Sequence, residues 1–179
     1  MFEEENEKFD EQFSNELQKF ETMQKNGDAF YFDPEVLEQI IDHYIIKNQF
    51  KTAGSAINFA LSQHPTHHTF NLKKAQIFST TGQLKESLLI LQTLEKIDPF
   101  NSEVFITIAT VFSQLRDHNK AIKYLEKALS LTSESENNEE LIEIMLDLAL
   151  EYENILDFHG AIKVLERLLD ISTNNESGI

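Results

Sequence analysis

The sequence predicts an all-α fold, an α-solenoid of stacked helical hairpins, and three observations carry that prediction. The first is a set of residues returning every 34 positions: Tyr44, Phe78 and Phe112, then Ala53, Ser87 and Ala121, then Ile57, Leu91 and Leu125. A fourth set, Tyr152, Ala161 and Leu165, follows after 40. A fixed period of this size marks repeated supersecondary units that bury their faces on one another. The second is turn chemistry: five Gly and three Pro in 179 residues leave little room for tight β-hairpins. The third is apolar spacing of three and four residues within each unit, the spacing of one helix face.

Residues 8–25 are expected to form an amphipathic helix, with Phe9, Phe13, Leu17 and Phe20 on one side and Asn26-Gly27 as its stop. Asp28 to Phe32 reads as an extended connector that tucks aromatics against the first hairpin. Asp33-Pro34-Glu35 then supplies a cap, a first-turn proline and a first-turn acid. The first hairpin runs over 34–65, its helices reaching about Lys47 and spanning about Phe50 to Gln63. The second covers 68–99, with Gly82 at its turn, the third 102–132 and the fourth 138–172. The six extra residues before the fourth fall in the polar run Thr132 to Glu140. The domain plan is therefore 1–33 as an N-terminal cap, 34–172 as the array and 173–179 as a frayed tail.

The net charge of −16 is uneven. Residues 1–33 carry ten acids against three lysines, and 133–153 carry eight acids and no base. Nucleic acid and anionic membrane are poor partners for such surfaces. Cysteine is absent, which removes disulfides, thiol nucleophiles and cysteine metal sites. The start Met1-Phe2-Glu3-Glu4-Glu5 is the reverse of a basic leader, and no apolar run reaches membrane-spanning length. A cytoplasmic location is expected.

These residues resemble the tetratricopeptide repeat over about 34–172. The third hairpin matches best, with Phe105, Ile108-Ala109, Phe112, Ala121, Leu125 and Ala128. The fourth gives Met145, Leu148-Ala149, Tyr152 and Ala161, and the first Leu37, Ile40-Ile41, Tyr44, Ala53 and Pro65. The second departs at Asn71 and Lys74 but keeps Ala75, Phe78, Leu91 and Pro99. The acidic N-terminal helix and aromatic connector also resemble a group of bacterial repeat proteins of unassigned activity. The resemblance implies a right-handed superhelix whose first helices line a concave, peptide-binding groove.

Residues sharing that side of each first helix follow from helical spacing. They are Glu35, Glu38, Asp42 and Ile45, then Thr69, Leu72, Gln76 and Ser79, then Glu103, Ile106, Thr110 and Ser113, then Glu143, Leu146, Leu150 and Glu153. Leu72, Ile106, Leu146 and Leu150 would bury apolar side chains of a partner, and Glu35, Glu38, Glu143 and Glu153 would select positive charge. The carboxylate clamp of some arrays does not fit, because Glu38, Asp42, Glu103 and Thr107 stand at its basic positions and only Lys73 agrees.

His64, His67 and His68 are read as a polar turn, since a tight metal site needs more ligands than three neighbouring imidazoles. His118 is read as a packing histidine, in the place held elsewhere by Phe50, Leu84 and Phe158. No phosphate loop, nucleophile elbow or metalloprotease motif is present, so neither an enzyme nor a cofactor or metal is expected. The expected function is a non-catalytic module that binds a protein or peptide with basic and apolar residues.

Two features leave alternatives open. The Phe9, Phe13, Leu17, Phe20 stripe could cap the array, dock on another chain or fold into the groove. Leu165, Leu168, Leu169 and Ile171 leave the last hairpin uncapped, which suits either a homodimer through that hairpin or a longer array. The second class of function is thus structural self-association.

Overall fold

Four turns of one geometry set the architecture. In the computed structural model, which describes residues 2–27, 30–132 and 139–176, Asn48, Gly82, Arg116 and Leu156 adopt left-handed backbone at φ 56°, 79°, 60° and 63°. They stand 34, 34 and 40 residues apart. After each, the next N–H donates five residues back: Gln49 to the Tyr44 carbonyl at 2.8 Å, Gln83 to Phe78 at 2.7 Å, Asp117 to Phe112 at 2.9 Å and Asp157 to Tyr152 at 2.9 Å. This six-to-one closure ends a helix and turns the chain back on itself. The periodic aromatic is therefore the residue whose carbonyl accepts the turn's closing bond.

The elements between the turns are α1 (Phe2–Asn26), α2 (Pro34–Ile46), α3 (Phe50–Gln63), α4 (His68–Thr80), α5 (Leu84–Ile97), α6 (Ser102–Gln114), α7 (His118–Leu131), α8 (Glu139–Asn154) and α9 (Phe158–Glu176). Among the described residues all regular structure is helical, and no helix is long and apolar enough to cross a membrane. Asn101 and Asp117 cap α6 and α7, their side chains accepting from the N–H groups of Val104 and Lys120. Asp33 occupies the same position at α2 without making that bond.

Two boundaries and the packing of the connector differ from expectation. Helix α1 begins at Phe2 rather than residue 8. Of the connector aromatics only Phe32 is buried, while Phe30 and Tyr31 stay 41% and 66% exposed. Helix α9 continues through the expected tail to Glu176, because 172–176 contain polar residues but no Pro or Gly to stop a helix already propagating. Residues 28–29, the polar insertion at 133–138, the last three residues and the side chain of Phe9 lie outside the described residues.

The chain divides into two compact units, 1–77 and 78–179. In the first, Phe20 and Met23 of α1 enter the core made by Leu37, Ile40 and Ile41 of α2 and Ala56, Ile57 and Ala60 of α3. Phe13 and Leu17 pack against it half-buried, so this part of the aromatic stripe lies on the first hairpin. Phe20 meets Phe32 and Phe59 edge-on at 5.8 and 5.6 Å. Gln63 fixes the connector, accepting from the Phe32 N–H at 3.1 Å and donating to the Phe30 carbonyl at 2.6 Å.

In the second unit the hairpins α6–α7 and α8–α9 stack through α7 and α8. Small residues sit where helices approach most closely: Ser87 and Ala121 have no exposed surface, and Ala109 and Ala149 are buried. Leu91, Ile108, Leu125, Met145 and Leu148 fill the space beside them.

Candidate functional site

Helix α8 buries Leu141, Ile144, Met145 and Leu148, so the opposite arc must carry Glu143, Leu146 and Leu150 outward. Leu146 and Leu150 are 48% and 54% exposed. Glu143, Asp147 and Glu153 frame them, also exposed, and α8 carries no Lys or Arg. Partial burial raises the Asp147 carboxyl above its usual range, and the Glu143 and Glu151 charges push it further the same way. This arc thus holds negative charge that its own helix leaves uncompensated.

The side of α8 turned toward α6 is polar and tied down. Ser102 of α6 donates to Glu140, and Ser113 Oγ donates to Glu151 Oε1 at 2.6 Å. The other Glu151 oxygen lies 2.7 Å from His118 Nδ1. Glu151 is only 4% exposed, a burial tolerable because both of its oxygens have partners. His118 therefore does more than pack: its ring holds a buried carboxylate 33 residues further along the chain. On α6 itself Glu103 and Thr110 are exposed, while Ile106 and Ser113 are half-buried.

In the first unit the corresponding arc is largely closed by its own pairs. Lys73 Nζ lies 2.5 Å from Asp42 Oδ1, which occupies the one base that a carboxylate clamp would use. Glu38 is half-buried with its Oε1 3.6 Å from His67 Nδ1. Glu35 is exposed, and Ile45, Thr69 and Gln76 are half-buried.

Two residues expected in the binding groove are buried, one in each unit. Leu72 is 3% exposed and Ser79 is 5% exposed. Helical spacing describes one helix in isolation, and flanking helices narrow the arc that stays free. For Ser79 the cover is visible: Gln114 Nε2 donates to its hydroxyl at 3.1 Å.

The histidine turn serves structure. His64 Nε2 is 2.8 Å from the Phe32 carbonyl oxygen, and the His67 ring packs on Phe70 at 4.7 Å. Among the described residues no group of three or more His, Asp or Glu is placed to hold an ion.

The sequence profile of the tetratricopeptide repeat matches residues 102–174. Three solved structures illustrate the likeness in fold. MamA (41-end) from Desulfovibrio magneticus RS-1 aligns over 79% of this chain and 77% of its own, with a TM-score of 0.65 and 18% identity. BtubC from P. vanneervenii aligns over 94% of this chain and 77% of its own, with a TM-score of 0.68 and 17% identity. The Cut9–Hcn1 hetero-tetramer of the APC/C aligns over 92% of this chain and 31% of its own, with a TM-score of 0.72 and 17% identity. Comparison with curated protein sequences returns no significant match.

Proposed function

We propose that the chain, whose residues 102–174 match the tetratricopeptide repeat and whose fold is the solenoid of such arrays, is a tetratricopeptide repeat protein and a non-catalytic interaction module binding a peptide or protein segment. The observation that supports this reading best is the outer arc of α8, where Leu146 and Leu150 stand exposed between acids with no base on the helix. Apolar anchors set in a one-sign field suit a segment that combines apolar residues with Lys or Arg. Ile106 and Thr110 extend the surface along α6. The reading shifts weight away from the first unit, where Asp42 and Glu38 already face Lys73 and His67 and Leu72 is buried. Nucleic acid and anionic membrane remain poor matches for this acidic surface, and a cytoplasmic site of action belongs to the same reading.

Selection from a displayed random-peptide library tests it. Peptides enriched on the full chain are expected to carry both basic and apolar residues. They are expected to lose binding to a Leu146→Ser, Leu150→Ser variant and to weaken on Glu143→Lys, Glu153→Lys, more at low salt than at high. Enriched peptides without a basic bias, or binding indifferent to every α8 substitution, would contradict the assignment.

A further inference from the structure

The fourth hairpin repeats the third forty residues on, but with smaller side chains at one place. In the third, the Tyr124 ring stacks on Phe112 at 5.7 Å and lies 6.1 Å from Phe105. Lys120 Nζ covers Phe112 at 4.9 Å, and Lys127 Nζ covers Tyr124 at 4.4 Å. Glu95 of α5 completes the arrangement, accepting from the Tyr124 hydroxyl at 3.3 Å and from Lys127 at 2.9 Å. A ring, a carboxylate and a base thus meet where α5, α6 and α7 come together.

In the fourth hairpin Met145 stands for Phe105, Tyr152 for Phe112, Gly160 for Lys120 and Val164 for Tyr124. Arg167 keeps the base of Lys127, while Leu129 takes the place that Glu95 holds one repeat earlier. The exchange opens a cleft of about 410 Å³ among α7, α8 and α9, lined by Leu129, Met145, Leu148, Tyr152, Gly160 and Val164. Glycine is required beside Tyr152, because a Cβ at position 160 would lie 2.8 Å from the ring's Cδ1. Lys163 and Arg167 line the cleft from α9, and Glu126 lines it from α7. Glu126 already accepts from the Tyr152 hydroxyl at 3.0 Å. In a chain of net charge −16, bases here outnumber acids two to one.

We propose that this cleft binds a small aromatic carboxylate, its ring stacked on Tyr152 and its acid group held by Arg167 and Lys163. Such a ligand supplies what Tyr124 and Glu95 supply to the third hairpin, a ring and a carboxylate beside a base. The cleft has the volume of a small-molecule site, with room for one ring on a short acid chain. Ring stacking and a charge-assisted pair with the guanidinium favour this ligand over saturated or neutral analogues. Leu146 and Leu150 take no part in the cleft, so it stands or falls apart from the peptide-binding reading.

Isothermal titration of the full chain with hydrocinnamate, one phenyl ring on a short acid chain, tests the proposal. Saturable one-site binding with a Kd below about 1 mM is expected. The amide of the same compound is expected to bind about tenfold more weakly, and cyclohexanepropanoate about threefold more weakly. Arg167→Gln, at an exposed position, is expected to cost about tenfold. Glu126→Gln is expected to tighten binding about twofold by removing the like charge. Val164→Tyr returns the ring of the third hairpin and is expected to abolish binding with helical circular dichroism retained. Absence of saturable binding to the unmodified chain would overturn the proposal. An amide that binds as tightly as the acid, or binding indifferent to Arg167→Gln, would overturn it equally.

Discussion

Helices α7 and α9 follow the same repeat pattern, Ala121, Ile122 and Leu125 answering to Ala161, Ile162 and Leu165. In α7 all three are buried, while in α9 the alanine is half-buried and the other two are exposed. The residues hardly differ; the neighbours do. Helix α8 lies on α7, and no described helix lies in the same place on α9. In a stacked array the burial of a position belongs to the next hairpin as much as to its own, and stability is a sum of nearest-neighbour interfaces.

The sharpest way to break this comparison is to place one charge at both alanines. Ala121→Arg overpacks a fully buried site and buries a guanidinium, so a loss of about 4 kcal/mol or more is expected, α6 to α9 unfolding together. Ala161→Arg is expected to cost under about 2 kcal/mol, because the half-buried site lets the side chain reach water. Urea denaturation followed by circular dichroism measures both, and equal losses would refute the difference between the helices.

A smaller effect is expected at the polar tie. Glu151→Ala leaves His118 and Ser113 facing an empty acceptor position, for a loss of about 2–4 kcal/mol. Glu153→Ala, two residues on and exposed, is expected to stay within about 0.5 kcal/mol. The shift of the urea midpoint separates them.

The four turns give a comparison of their own. Gly82 takes the left-handed conformation freely, whereas Leu156 holds it against its own side chain. Leu156→Gly is expected to stabilise the second unit by about 1 kcal/mol and Gly82→Ala to cost about the same. Calorimetric melting temperatures should move in opposite directions.

The smallest effect distinguishes the first hairpin's aromatic from those that follow. Tyr44 donates its hydroxyl to Glu21 at 3.2 Å, and burial followed by the Glu21 charge pushes its pKa from 10.0 to about 12. The folded state therefore holds the phenolic proton more tightly than the unfolded chain. That stabilisation is complete below pH 10 and is lost as pH rises from about 10 to about 12. Tyr44→Phe, the residue type found at positions 78 and 112, is expected to flatten this part of the stability profile in thermal melts.

Much of the helical framework was legible because period and punctuation agreed. Helix α3 starts at Phe50 and stops at Gln63, ahead of Pro65, as local signals indicate. The turn conformations were legible only at Gly82. Arg116 and Leu156 have no chemical preference for left-handed backbone, and closure of the hairpin imposes it on them.

The binding arc shows the same limit. On α8 the side chains point outward where helical spacing puts them, but Leu72 and Ser79 are covered by neighbours that no single helix reveals. The His118–Glu151 pair was invisible for a related reason: two residues 33 apart become partners only once α6, α7 and α8 have stacked.

Hydrogen–deuterium exchange on the full chain at low micromolar concentration tests the contrast between α7 and α9 most directly. The amides around Ile122 and Leu125 are expected to exchange far more slowly than those around Ile162 and Leu165. Equal protection of the two helices would contradict the claim that a neighbouring hairpin decides the burial of a repeat position.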